Sequence, residues 1–118
     1  MIGRLSSVVL DCPEPHVLAR FYSELLGLPI TRVDGGWIDI SDGATTLSFQ
    51  EAPEYVPPRW PDPAHPQQFH LDITVDDIDV AEPKALALGA RPLPLQEEEE
   101  VSFRIYADPA GHPFCLCW

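Results

Sequence analysis

Gln67-Gln-Phe-His-Leu-Asp-Ile-Thr-Val-Asp-Asp77 alternates strictly. Phe69, Leu71, Ile73 and Val75 point one way, and His70, Asp72 and Thr74 the other. This is the period-two pattern of a strand with one face in a core. The opposite face carries an imidazole, a carboxylate and a hydroxyl, an unusual set for a surface that meets only water. Upstream, Ser6-Ser-Val-Val-Leu-Asp-Cys12 reads as a second apolar strand, and an acidic turn and a helical pattern follow each. The helical patterns end at Leu26-Gly27 and Leu88-Gly89, so the copies are spaced by about half the chain. A duplicated module is therefore the first fold to test.

Working outward, the first strand stops at Cys12-Pro-Glu-Pro15, and Pro15 suits a first helical turn, where its missing N–H is not needed. Val17, Leu18, Phe21, Tyr22, Leu25 and Leu26 then recur at three and four, predicting an amphipathic helix closed by Gly27. Strands are expected over 30–33, 37–40 and 45–50, joined by Asp34-Gly-Gly36 and Asp42-Gly43, turn chemistry typical of antiparallel hairpins. Residues 52–66 hold six of the fourteen prolines. They should run as a stiff, extended connector packed against the body through Tyr55, Arg59 and Trp60. In the second half, Asp79 is the expected helix cap, because Pro83 then falls within the first four residues. A cap at Asp77 would place Pro83 deeper, so a short or bent helix ending at Gly89 is expected. Strands over 91–96, 101–107 and 113–118 complete the repeat, with Glu97–Glu100 as a solvated hairpin tip.

Length and composition set the class. At 118 residues with a 45% apolar share, the chain is one ordinary folded domain. That domain divides into a first module over 1–51, the connector over 52–66 and a second module over 67–118. The net charge of −12, with Lys84 the single lysine, argues against nucleic acid, whose binding rests on basic groups. Acidity alone is often a solubility feature, but it also suits cationic or metal-bearing ligands. No apolar run is long enough to span a membrane, and Met1-Ile-Gly-Arg-Leu5 lacks the apolar core of a signal peptide. A cytoplasmic protein is expected. Cys12, Cys115 and Cys117 make no even disulfide framework and are read as reduced thiols.

The order strand, helix, three strands, stated twice, resembles the vicinal oxygen chelate superfamily of glyoxalase I, bleomycin-resistance proteins and extradiol dioxygenases. The resemblance is carried by Phe21-Tyr22 with Leu25-Leu-Gly-Leu28, by His70-Leu-Asp-Ile-Thr-Val-Asp-Asp77, by Leu86-Ala-Leu-Gly-Ala90 and by Asp108-Pro-Ala-Gly-His-Pro-Phe114. Pro57-Pro-Arg-Trp-Pro-Asp-Pro63 is similar to a smaller glyoxalase-like branch. The likeness implies an α+β fold of two tandem βαβββ modules, a curved eight-stranded mixed sheet around a small-molecule cavity, usually in a homodimer. It does not imply one reaction, since a shared fold hosts several chemistries.

Metal-using relatives take one inward residue from the first and last strand of each module. The resemblance places Ser7, Ser48, His70 and Cys115 there. Two neutral hydroxyls bind divalent ions poorly, so the set is incomplete and favours no functional metal. The alternative is a divalent ion (Zn, Ni, Mn or Fe) on His70 and Cys115, with Gln50 or Asp72 completing the site. A lone strand histidine is ordinarily a hydrogen-bonded structural residue. Here Asp72, adjacent on the same face, can orient His70 as a general base for removing a proton next to a carbonyl. His16, His65 and His112 are expected at the surface. Trp118 should be buried. Trp37 and Trp60 are packing residues that could also offer flat faces to an aromatic or cationic ligand, Trp60 the better placed. Cys115 and Cys117 are read as small apolar fillers, and a thiol nucleophile would need a nearby positive charge.

Three functions follow as expectations. The first is a binding protein that takes a small organic molecule, with Ser7, Ser48, Gln50, Trp37 and Trp60 among its contacts. The second is a glyoxalase-type lyase or isomerase acting through His70 and Asp72. The third is a module whose cavity is filled and which acts through its surface.

Overall fold

A computed structural model of the chain describes residues 1–94 and 101–118. The expected tip at Glu97–Glu100 lies outside the described residues. Strand, helix and three strands appear twice, in two compact units, Met1–Tyr55 and Val56–Trp118. The eight strands form two four-stranded mixed sheets, one in each unit. In both, the first strand runs parallel to the fourth, and the hairpins beyond are antiparallel.

The first unit holds β1 (Val8–Cys12), α1 (Pro15–Leu26), β2 (Ile30–Asp34), β3 (Trp37–Ser41) and β4 (Thr46–Glu51), in sheet order β1-β4-β3-β2. Pro15 opens α1, and Gly27 closes it in a left-handed conformation at φ 70°, its N–H donating to the Ser23 carbonyl. The apolar stripe buries Leu18, Ala19, Phe21 and Tyr22. Tyr22 stacks on Phe49 of β4 with ring centroids 5.8 Å apart, and Phe21 meets Tyr22 edge-on at 4.9 Å. Ile38 and Ile40 are wholly buried, while Trp37 and Asp39 between and before them take the other face. Helix and sheet thus share one core, and each large side chain fully buried there contributes about 1.5–3 kcal/mol.

The second unit holds β5 (Leu71–Thr74), α2 (Ile78–Leu88), β6 (Arg91–Pro92), β7 (Phe103–Ala107) and β8 (Pro113–Cys117), in sheet order β5-β8-β7-β6. Here the cap of α2 is Asp77 rather than Asp79. The Asp77 carboxylate accepts the Asp79 N–H at 2.9 Å, and the Asp77 carbonyl accepts from Ala81. Asp79 then sits in the first turn, where the helix dipole favours its charge. Pro83 lies inside the helix, which continues to Leu88. Only Ile78 and Ala85 of α2 are buried. A polar anchor does the rest: Glu82 accepts from Tyr106 Oη at 2.8 Å and from Arg104 Nη1 at 2.7 Å, tying helix to β7.

Three further expectations are corrected. Trp118 is 43% exposed, because β8 ends at Cys117 and leaves the ring beyond the sheet, with the Arg104 guanidinium 5.7 Å from its centroid. Phe69 and His70 both lie just before β5 rather than in it, and both are exposed. The proline-rich segment is turned rather than extended. Arg59 N–H donates to the His65 carbonyl at 2.7 Å, and the Asp62 carboxylate accepts the Ala64 N–H and meets His65 Nδ1 at 3.3 Å, so 59–65 close on themselves. That segment does pack on its unit. At Gly111, φ is 90° and an added Cβ would come within 2.9 Å of Pro57, so both conformation and space require glycine.

Of the histidines, His16 is exposed as expected, while His65 and His112 are half-buried. The turn before β8 explains the latter. The buried Asp108 carboxylate accepts the N–H groups of Ala110 and His112, folding residue 112 back onto the strand entrance.

Candidate functional site

The candidate site is built where β5 and β8 run side by side. Their register sets Asp72 opposite Cys115 and Thr74 opposite Cys117. His70 precedes Asp72 by two residues, the spacing at which neighbouring side chains share a strand face. The imidazole Nε2 lies 3.2 Å from Asp72 Oδ1. Ligand atoms of His70, Asp72 and Cys115 all fall within 4.8 Å of one another. Among the described residues this is the cluster of histidine, cysteine and acidic groups with the spacing of a metal site.

Exposure grades across the three. The side chains of His70 and Asp72 are 41% and 65% exposed, whereas Cys115 is buried. Burial first, and then the Asp72 carboxylate beside it, push the Cys115 thiol up to about 12. Cys117 is raised for the same two reasons. A thiol so placed is no nucleophile, since it stays protonated near neutral pH. Among the described residues none of the three cysteines forms a disulfide.

The first unit offers the matching positions with different chemistry. β1 and β4 set Val9 opposite Ser48, as β5 and β8 set Asp72 opposite Cys115. Ser7 stands two residues before Val9, as His70 stands before Asp72. Ser48 is buried, and its hydroxyl donates to Asp39 Oδ1 at 2.6 Å. Trp37 Nε1–H donates to the same oxygen at 2.7 Å. Two of the expected contact residues, Trp37 and Ser48, therefore converge on Asp39. Gln50 pairs in register with Asp11 and Trp37, its side chain exposed. Trp60 is half-buried in the turned segment of the second unit.

Asp39 is the site residue that reading the sequence missed. The signal was available: Trp37-Ile-Asp-Ile40 alternates, so Asp39 had to share the polar face with Trp37. What the sequence lacks is the cross-strand register that brings Ser48 opposite.

Comparison with known proteins agrees with this architecture. The sequence model of the glyoxalase-like domain matches residues 7–117. The chain belongs to the glyoxalase-like domain family. Solved structures with the same fold include a glyoxalase family protein from Enterococcus faecalis, 19% identical, covering 99% of this chain and 98% of that one at a TM-score of 0.71. A glyoxalase/bleomycin resistance protein/dioxygenase family enzyme from Burkholderia phytofirmans is 17% identical, covers 97% of each chain and reaches 0.74. The fosfomycin resistance protein FosX from Listeria monocytogenes, a mutant complexed with Mn(II) and 1S,2S-dihydroxypropylphosphonic acid, is 16% identical. It covers 99% of this chain and 90% of its own at 0.71. No curated protein matches this glyoxalase-like chain. These likenesses fix the vicinal oxygen chelate fold, and that fold hosts resistance proteins and dioxygenases alike. No helix among the described residues is long and apolar enough to cross a membrane.

Proposed function

We propose that this glyoxalase-like protein binds a small organic molecule on the polar face of the second unit's sheet, against His70 and Asp72. The observation that carries the reading is the convergence of a carboxylate and a thiol on two adjacent strands with an imidazole at the entrance of one of them, two of the three open to solvent. Small-molecule sites fix their ligands through a small number of convergent polar groups, and this face supplies such a set. The FosX relative is a complex with a small phosphonic acid, which supports ligand binding on this fold. The net charge of −12 disfavours an anion like that one and favours a neutral or cationic ligand here. Thermal-shift screening of cationic and aromatic compounds, followed by NMR of labelled histidine, tests the reading. A ligand at a hundred times its Kd stabilises by about 2.7 kcal/mol. The expected hit moves the His70 signals and is lost in His70→Ala. A library that yields hits which never perturb His70 would overturn it, and so would a library that yields none.

The 3.2 Å contact favours a second reading, a lyase or isomerase of glyoxalase type. With Nε2 held against Asp72, Nδ1 is the nitrogen left to accept a proton from carbon next to a carbonyl. Asp72 then orients the ring and stabilises the imidazolium that forms. Positioned general-base catalysis of this kind contributes about 10²–10⁴-fold. Hydrogen–deuterium exchange of a ketone or α-hydroxyketone, followed by NMR, reads the step directly. Exchange no faster than in buffer, or equally fast in His70→Ala, would remove this reading and leave binding alone.

A further inference from the structure

We propose that the second unit alone holds a divalent ion of borderline softness, zinc being the type, through the His70 imidazole, the Asp72 carboxylate and the Cys115 thiolate. The inference deepens, and rests on, the reading of this face as the ligand site. It departs from the four-position arrangement of metal-using relatives in two ways. All three donors come from one module, and Asp72 is not one of the four positions.

Geometry comes first. Tetrahedral zinc, with bonds of about 2.0–2.3 Å, sets its donors roughly 3.4–3.6 Å apart. Here the His70 and Asp72 atoms are already 3.2 Å apart, and all three donors lie within 4.8 Å. Rotation of the two exposed side chains closes the difference, while Cys115 stays fixed in the sheet. Asp72 and Cys115 sit on paired strands opposite one another, so the backbone holds two of the three donors in place, and His70 stands just before β5.

Charge favours an ion here as well. A carboxylate and a thiolate beside a neutral imidazole carry two negative charges, which a divalent ion neutralises. Among the described residues the ion-pair partner of Asp72 is His70, with no lysine or arginine on it. On binding, the S–metal bond forms, the S–H bond breaks and the proton leaves to solvent. Three protein ligands with an exposed side also match the count of sites that keep one position open. That position is where an oxygen-bearing molecule would coordinate. Donor chemistry then chooses the ion. Thiolate and imidazole suit zinc, while the Mn(II) of the FosX relative is a harder ion that prefers oxygen.

The test uses the full chain, stripped with chelator and dialysed, with no organic molecule present. Titration with Co²⁺ should saturate at one equivalent and produce a near-ultraviolet thiolate-to-cobalt charge-transfer band. Zn²⁺ should bleach that band stoichiometrically, and Mn²⁺ should bind at least about 100-fold more weakly. Cys115→Ser should abolish the band. Asp72→Asn and His70→Ala, both at exposed positions that leave the core alone, should each lose more than the roughly 10–100-fold typical of an outer-shell partner. Cys117→Ser and Gln50→Ala should bind Co²⁺ as the wild type does. Near-ultraviolet circular dichroism establishes that each variant is folded. The proposal is overturned by no saturable Co²⁺ binding, by a band that survives Cys115→Ser, by an unaffected Asp72→Asn, or by a Gln50→Ala loss equal to that of Asp72→Asn. If Co²⁺ fails while small-molecule hits still move His70, only the metal falls. If both fail, the reading of the face falls with it.

Discussion

The two units carry one backbone plan and opposite polar chemistry. At matching register the first sheet sets Val9 against Ser48 and the second sets Asp72 against Cys115. Across the next strand pair, Ser48 meets Asp39 and Cys115 meets Ile105. In the first unit the polar groups satisfy one another, since Asp39 takes the hydrogens of both Trp37 and Ser48. In the second, Asp72 and His70 remain accessible beside a thiol. The helices differ in the same direction: α1 is held by an apolar stripe, α2 by Glu82. A duplicated fold can keep its core and move its chemistry to one copy, because alternate positions along each strand belong to separate faces.

If the cores are equivalent, the largest effects should match between units. Phe49 and Phe114 are both wholly buried and both stack on a tyrosine, Tyr22 and Tyr106, at 5.8 and 5.5 Å. Phe49→Ala and Phe114→Ala should each cost about 3–5 kcal/mol in urea unfolding. A difference between them larger than about 2 kcal/mol would break the equivalence and show that one unit carries most of the apolar stability.

The next effect should appear only in the second unit. Glu82→Ala leaves the buried Tyr106 hydroxyl without its acceptor, a loss of about 2 kcal/mol. Arg104 is partly exposed and adds at most a few tenths. The pH dependence gives a second handle. Burial, and then the Glu82 hydrogen bond, raise the Tyr106 phenol above its ordinary value of 10. A raised folded value favours the neutral form. Its contribution is therefore whole below pH 10 and is lost as pH rises through the folded value. The gap between wild type and Glu82→Ala should hold through pH 10, where only the unfolded chains ionise, and narrow as pH rises through the variant's folded value, which burial still keeps above 10. A gap that stays constant even where the Tyr106 phenol of folded Glu82→Ala deprotonates would show that Glu82 acts on the helix and not on the phenol.

What could be read from the chain was whatever is encoded locally. Alternation at 69–75 and 46–50, the three-and-four spacing of 17–26 and the glycines at 27 and 89 placed strands, helices and their ends. The His70–Asp72 contact was legible too, since residues two apart on a strand are neighbours. Cys115 was reached only through family resemblance, because nothing local shows that it pairs with Asp72. The misses share a cause. Asp77 over Asp79 depends on which carboxylate reaches a free N–H, and Pro83 costs the helix one donor without ending it. Trp118 was expected to continue a buried face, but a strand ending one residue earlier leaves it outside. Asp39 needed the register of two strands at once.

A smaller effect tests the closed polar group of the first unit. Ser48→Ala removes one hydrogen bond to Asp39, and Asp39 keeps Trp37 and meets solvent. The loss should be about 1 kcal/mol. A cost above about 3 kcal/mol would mean that the Trp37–Asp39–Ser48 group is a structural keystone and not the quiet counterpart of the second unit's site.

The smallest effect concerns the helices. Arg20 and Glu24 of α1 form an i,i+4 pair at 3.6 Å with both side chains well exposed, whereas Glu82 of α2 reaches a buried hydroxyl. An exposed helical pair is worth about 0.3–0.5 kcal/mol and is screened by salt. Arg20→Ala should therefore shift stability by no more than that at low ionic strength and by nothing measurable in 1 M salt. The Glu82 link, with one partner out of water, should keep most of its effect there. Parallel salt titrations of Arg20→Ala and Glu82→Ala separate the two cases. Equal salt sensitivity would mean that α2 is held, like the surface of α1, by solvent-screened charge, and the contrast between the helices would disappear.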